Sequence, residues 1–301
     1  MPVPALSLGP LRGKTTVLSL RDKRERGLPI TMVTAYDCPT ARAVDEAGVD
    51  AILVGDSVAM VVLGHPNTLS VTMDEMLHHA RAVARGARRA LLVGDMPFLS
   101  YQADPAEAVR NAGRYLQAGM DAVKIEGGRS FASTAAAIVR AGIPVQGHIG
   151  LTPQSVNALG GFRVQGRTAA AASGLLDDAH ALEDAGCFSI VLESVPDRVA
   201  SHITEHVHVP TIGIGAGGGT SGQVLVLHDL VGLCDAPPRF ARRYAELGAA
   251  MEVAARAFKA DVESRAFPGP EHVVAMDDDE WRAFLRSASS GLEPFPARKE
   301  A

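Results

Sequence analysis

About eight short runs rich in Val, Ile and Leu, set between longer Ala-rich stretches, limit what this chain can fold into more than any other feature. The runs lie at 30–36, 51–54, 90–94, 122–125, 143–147, 188–192, 211–214 and 224–227. A continuous apolar run with helix-forming sequence on either side reads as a strand buried on both faces, the signature of a parallel sheet built from βαβ units. That number of runs matches the strand count of one parallel β/α barrel. Helices are predicted between them at 38–47, 74–85, 105–118, 131–141, 169–185 and 196–205. The Ala-Gly pairs at 47–48, 118–119, 141–142 and 185–186 stand where these helices should stop, because glycine accepts the left-handed cap conformation cheaply.

At 301 residues and 47% hydrophobic, the chain is long enough to bury the core of one barrel with extensions. The predicted organisation is therefore an α/β, (β/α)8 TIM barrel in a single domain over 1–301. Its core spans about 28–270, with an N-terminal arm at 1–27 and a C-terminal tail at 271–301 that carries no assigned role. Residues 241–264 read as helical, suited to covering the barrel or a subunit contact. The tail shows only a short amphipathic pattern around Trp281 to Leu285.

The formal net charge of −5, from 29 basic and 34 acidic side chains without long runs of one sign, offers no basic face to nucleic acid. No segment approaches the roughly 18 apolar residues of a membrane span, and the N-terminus lacks the features of a secretory signal. Cys38, Cys187 and Cys234 are isolated, which suggests neither a disulfide framework nor a CxxC pair. A reducing cytoplasm is the expected location, with neither nucleic acid nor membrane as a partner.

In a β/α barrel the active site forms at the C-terminal ends of the strands, so polar residues directly after apolar runs carry the functional information. Asp56 follows ILVG, Asp95 follows LLVG, Glu126 follows AVKI and Glu193 follows IVL. One acid in such a place is most often a helix cap or a turn residue. Four in equivalent places imply convergent negative charge, which needs a cation or a proton to offset it. Hard oxygen ligands select Mg2+, with Mn2+ the alternative, so Asp56, Asp95 and Glu126 are candidate metal ligands, directly or through water.

Lys124 lies two residues before Glu126, so both side chains point to one face of the strand. A lysine among carboxylates can hold a substrate carboxylate, whereas a desolvated lysine can form a Schiff base; the sequence leaves both open. His148 ends another predicted strand, either as a hydrogen-bonded histidine of the barrel mouth or as a substrate contact. His78, His79, His206 and His208 fall in helical or flanking positions and are assigned no metal. The run Gly213-Ile-Gly-Ala-Gly-Gly-Gly suits either a ligand cradle or a tight structural turn, and does not reproduce the GxGxxG dinucleotide fingerprint.

Together these residues resemble the ketopantoate hydroxymethyltransferase family. The matching pieces are TAYD at 34–37, LVGDS at 53–57, GHPNTLSVTMDEM at 64–76, GDMPFLSY at 94–101 and VKIEGG at 123–128. They continue with GHIGLTPQS at 147–155, GGFRVQGRT at 160–168, LES at 192–194, and GIGAG followed by GQVLV within 213–226. The resemblance departs at 218–221 and does not extend to the tail. It implies a barrel of the phosphoenolpyruvate and pyruvate-binding superfamily, assembled as a homo-oligomer, usually a homodecamer. It further implies transfer of a hydroxymethyl group from 5,10-methylenetetrahydrofolate to 3-methyl-2-oxobutanoate, on the way to pantothenate and coenzyme A. By position it makes Asp56, Asp95 and Glu126 the site of Mg2+ or another divalent cation. Asp56, Ser57, Asp95 and Lys124 then surround the keto acid, and Glu193 is the catalytic base, strengthened by an apolar setting behind Ile190-Val-Leu.

Three other readings compete: a C–C lyase or mutase of the same superfamily, a metal-free Schiff-base aldolase using Lys124, and a keto-acid sensor without turnover.

Overall fold

The computed structural model describes residues 13–234 and 236–288. It divides into two units with the boundary between Glu246 and Leu247.

The first unit carries eight parallel strands: β1 (Ile30–Thr34), β2 (Ala51–Val54), β3 (Leu91–Asp95), β4 (Ala122–Glu126), β5 (Val145–Gly150), β6 (Ser189–Glu193), β7 (Thr211–Ile214) and β8 (Gly222–Leu225). Each pairs with the next, and β8 pairs with β1, so the sheet closes into a barrel. Every predicted run overlaps a strand; β5 and β8 each start two residues from the predicted position.

Side chains in a strand alternate between faces, and here the alternation separates two cores. Ile30, Met32, Ala51, Leu53, Leu91, Val93, Ala122, Val191, Ile212 and Val224 fill the barrel interior. Their strand neighbours Ile52, Val54, Leu92, Val123, Ile125, Ile190 and Leu192 face the surrounding helices.

Those helices include α2 (Cys38–Glu46), α4 (Met73–Gly86), α5 (Pro105–Gln117), α6 (Ala132–Arg140), α8 (Ala169–Asp184) and α9 (Asp197–His206), numbered to leave α1 (Val17–Glu25), α3 (Val58–Val61) and α7 (Val156–Leu159) in chain order. Asp37, Thr72, Asp104 and Thr168 cap four of them by accepting backbone N–H bonds at their first turns. Gly48, Gly119, Gly142 and Gly186 follow four helix ends with φ between +84° and +98°, as the Ala-Gly pairs predicted.

Four helices of the first unit were not predicted: α1, α3, α7 and a short one after β8. Helix α1 lies in the stretch expected as an arm, and its Leu20 is buried among the interior residues at the N-terminal end of the barrel. Lys23 ties it down through an ion pair of 2.6 Å to Asp50. The short α10 (Leu227–Leu230) follows β8 and starts beneath Thr34, whose hydroxyl accepts from Leu227 N.

The second unit holds α11 (Leu247–Glu263) and α12 (Asp278–Ala288). The predicted helix at 241–264 therefore begins six residues later than expected, and the short pattern around Trp281 is a full three-turn helix. Neither helix has a buried residue. No helix among the described residues is long and apolar enough to cross a membrane.

Candidate active site

The inward stripe that carries Leu91 and Val93 continues upward to Asp95, and the stripe from Ala122 continues to Lys124 and Glu126. Gln146 and His148 occupy the same stripe of β5, and Val191 and Glu193 that of β6. Strand register then decides the neighbours. Asp95 pairs with Lys124, Glu126 with His148, and Gly150 with Glu193. Gly150 sits at φ +93°, and a Cβ there would meet the backbone oxygen of Glu193 at 2.3 Å, so only glycine lets β5 close on β6 at this level.

Lys124 Nζ lies 2.9 Å from Asp95 Oδ1, 3.7 Å from Glu126 Oε1 and 3.2 Å from His148 Nδ1. His148 reaches both glutamates: Nδ1 is 3.3 Å from Glu126 Oε1, and Nε2 is 3.3 Å from Glu193 Oε2. Asp56, just beyond β2, donates its backbone N–H to Asp95 Oδ2 at 3.1 Å. Ser57 Oγ is 2.9 Å from the Tyr36 hydroxyl. All of the sequence-predicted residues, Asp56, Ser57, Asp95, Lys124, Glu126, His148 and Glu193, line one cavity of about 850 Å³.

Burial sets the electrostatics. Asp56, Asp95, Lys124, Glu126 and His148 are each at most 4% exposed. Desolvation, with the charges of Asp95 and Glu126, pushes the Asp56 carboxyl well above its ordinary value, and Asp95 is raised by burial as well. Burial pulls Lys124 down, but Asp95, Glu126 and Asp56 together outweigh it and hold the ammonium above its usual range. Burial and Lys124 oppose protonation of His148, yet Glu126 and Glu193 carry it up to about 9. Glu126 is lowered: burial raises it, and Lys124, His148 and the Gln154 amide reverse that.

The formal charges do not balance. With all four carboxylates ionised, Asp56, Asp95, Glu126 and Glu193 contribute −4 against +2 from Lys124 and protonated His148, an excess of −2 that a proton on Asp56 offsets in part and that a divalent cation in its place would cancel. Glu126 Oε1, fully buried, makes no hydrogen bond of good geometry. An excess of two negative charges among hard oxygen donors fits one divalent cation. The oxygens of Asp56, Asp95 and Glu126 do not all lie within 4.8 Å of one another; among the described residues that spacing is met by His202, Glu205 and His206 instead.

Several contributors were not singled out in the sequence. Gln154 links two of the acids, donating its backbone N–H to Glu126 Oε2 (2.9 Å) and its side-chain amide to Asp56 Oδ2 (3.0 Å). The Tyr101 hydroxyl accepts from Glu126 N at 3.0 Å and lies 2.9 Å from Gln154 Oε1. Both lie inside quoted motifs, GHIGLTPQS and GDMPFLSY, so the signal was present, though not their roles. Asp229, raised by burial, also lines the cavity. The mouth is apolar and basic: Phe162, Val164 and Phe240 are 53%, 50% and 39% exposed, and Arg163 and Arg239 stand beside them.

One expectation changes, and one alternative stays as it was with new detail. Glu193 does not sit in a wholly apolar setting, because β5 and β6 register brings the His148 ring against it. In the glycine run at 213–219, Gly215 lies under the Phe240 ring and Gly219 against Ser201, contacts that suit a tight structural turn, while Gly218 has open space around it.

A family model described as ketopantoate hydroxymethyltransferase matches residues 14–270, most of the chain. The chain belongs to the ketopantoate hydroxymethyltransferase family. It is 55% identical to the 3-methyl-2-oxobutanoate hydroxymethyltransferase of Oleidesulfovibrio alaskensis, over 86% of this chain and 91% of that one. It is 56% identical to the enzyme of that name from Chloroflexus aggregans, over 90% and 98% of the two chains. A phosphonopyruvate hydrolase solved with oxalate and Mg2+ shares the fold at a TM-score of 0.57 and 15% identity, covering 91% of this chain and 97% of its own. A 2,3-dimethylmalate lyase of the PEP mutase/isocitrate lyase superfamily does so at 0.54 and 18%, covering 94% and 100%. The family thus shares its barrel with enzymes that act on other small acids.

Proposed function

We propose that this chain transfers a hydroxymethyl group from 5,10-methylenetetrahydrofolate to 3-methyl-2-oxobutanoate, forming 2-dehydropantoate for pantothenate and coenzyme A synthesis. The observation that carries the reading is the buried group of Asp56, Asp95 and Glu126 about Lys124, with the half-buried Glu193 joined to it through His148, in one cavity of a chain that belongs to this family.

Asp56, Asp95 and Glu126 are the residues that would hold Mg2+ or another divalent cation, directly or through water. When bound, such a cation supplies Lewis-acid stabilisation of the charge developing on the keto oxygen, worth several kcal/mol. Lys124, held protonated by its carboxylate neighbours, pairs with the carboxylate of the keto acid, and Ser57 helps to orient it. Fixing that group holds C3 against Glu193 in reactive geometry. Glu193 takes the C3 proton, a general-base contribution of roughly 10²–10⁴-fold. His148 touches Glu193 and Glu126 together and so sets the angle at which the base faces the substrate.

A cavity of about 850 Å³ lies in the range of roughly 300–1,000 Å³ that encloses drug-sized ligands, and a five-carbon keto acid occupies only its polar floor. The remaining space, with Phe162, Val164 and Phe240 for a flat ring system and Arg163 and Arg239 for glutamyl carboxylates, suits the folate. A homodecamer in the cytoplasm is part of the same reading.

The Schiff-base alternative is disfavoured because Asp95, 2.9 Å away, with Glu126 and Asp56 holds the Lys124 ammonium above its usual range, whereas attack on a carbonyl needs the free amine. The deciding assay follows keto-acid consumption with methylenetetrahydrofolate, with and without Mg2+. Consumption that ignores the folate and yields cleavage products would assign the chain to the lyases instead.

A further inference from the structure

We propose that the last turn of α9 carries a second divalent-cation site, formed by His202, Glu205 and His206 and selective for Zn2+, Ni2+ or Cu2+ over Mg2+. One ligand atom of each residue lies within 4.8 Å of one from each of the others, and all three side chains are exposed. Positions i, i+3 and i+4 of a helix share a face, so backbone geometry presents the three together without folding cost. The two imidazole rings are 4.0 Å apart between centroids.

The His206 ring is already set for ligation. Its Nδ1 lies 2.7 Å from the backbone oxygen of His202, an acceptor only, so Nδ1 carries the proton and Nε2 keeps its lone pair. A backbone carbonyl that fixes tautomer and ring orientation in this way is the usual outer partner of a metal-binding histidine. The site also lies in the last turn of α9 (Asp197–His206), where the helix dipole favours positive charge. Two imidazoles and one carboxylate are borderline ligands, which favour Zn2+, Ni2+ and Cu2+ and discriminate against Mg2+.

The site is separate from the cavity. Helix α9 leaves the C-terminal end of β6 and returns to the start of β7, so its last turn lies at the opposite end of the barrel from Glu193. None of the three residues lines the cavity. Their order, H-x-x-E-H, occurs in a class of zinc peptidases whose glutamate activates water. Here all three side chains are exposed and none of them lines the cavity that holds Glu193, so the assignment is binding rather than hydrolysis. Sequence position alone assigned no metal to His206 or His208; helix geometry brings His206 to His202 and Glu205, whereas His208 lies 3.6 Å from Glu183 instead.

The test uses the full-length protein held in saturating Mg2+, so that the acidic site is filled. Zn2+ binding is measured by equilibrium dialysis, and Cu2+ coordination by electron paramagnetic resonance. The expected result is one bound Zn2+ per chain and a Cu2+ signal split by two nitrogens, both lost in the His202→Gln/His206→Gln variant. Glu205→Gln should weaken Zn2+ by about tenfold or more. Turnover with Mg2+ and thermal melting without added Zn2+ should not change in either variant. Unaltered stoichiometry and nitrogen splitting in the double variant, or no nitrogen-coordinated Cu2+ in the parent protein, would overturn the proposal.

Discussion

The side-chain amide of Gln154 donates to Asp56 Oδ2 at 3.0 Å, while the backbone N–H of the same residue holds Glu126 at 2.9 Å. One residue from the loop after β5 thereby spaces two carboxylates that come from β2 and β4. Groups that orient ligands matter nearly as much as the ligands themselves. Gln154→Ala should raise the Mg2+ concentration needed for half-maximal activity by roughly 10–100-fold with little change in maximal rate. Mg2+ titration of the two proteins at saturating keto acid checks this, and coincident curves would show that Gln154 only packs.

Glu193→Gln tests the base. The substitution keeps the side chain's size and its proximity to His148. Folding and keto-acid binding should persist, while exchange of the C3 proton in deuterated water falls by about 10²–10⁴-fold. Exchange at the parent rate would move the role of base to another group.

Lys124 supports the fold as well as the site, since it is the ammonium among three buried carboxylates. Removing one partner of a buried ion pair costs about 3–5 kcal/mol. Lys124→Met should lose stability of that order in denaturant titrations without metal, and Mg2+ should restore part of it. Unchanged stability would mean that the carboxylates are already protonated. Borohydride in the presence of keto acid should leave the parent protein unlabelled.

Asp45 gives a pH dependence away from the site. Burial alone would raise its carboxyl, but the backbone N–H groups of Ala90, Arg88 and Arg89, with the Arg89 charge, hold it below its ordinary value. A carboxylate depressed in the folded state contributes stability above its unfolded value of about 3.8, and that contribution is lost as pH falls through the folded value. Asp45→Asn should therefore cost about 1–3 kcal/mol at neutral pH and flatten the acid limb of the stability curve below pH 4. Unfolding midpoints measured between pH 3 and 7 decide the point.

Arg163→Ala tests the second substrate. A lost charged hydrogen bond is worth about 1.5–3 kcal/mol, so KM for the folate should rise about tenfold or more. The folate-independent exchange of the C3 proton should stay at the parent rate. A parallel loss of exchange would place Arg163 at the keto acid.

What the sequence determined by itself was the barrel and the ring of acids. Strand count, strand order and the inward stripe follow from local alternation of apolar runs and helices, and a polar residue after such a run must emerge at the C-terminal rim. Lys124 and Glu126 could be placed on one face because strand geometry has a period of two. The contacts between strands were not legible. That Glu126 faces His148, that His148 touches Glu193, and that Gln154 joins Asp56 to Glu126 all depend on register and closure between segments as much as 98 residues apart. Helix α1 was missed because it has one buried residue and weak amphipathicity, and only the open end of the barrel gives Leu20 a place to go. Local sequence fixes which way a side chain points along its own strand, whereas the neighbour it meets, and hence its charge state, is settled only when the sheet closes.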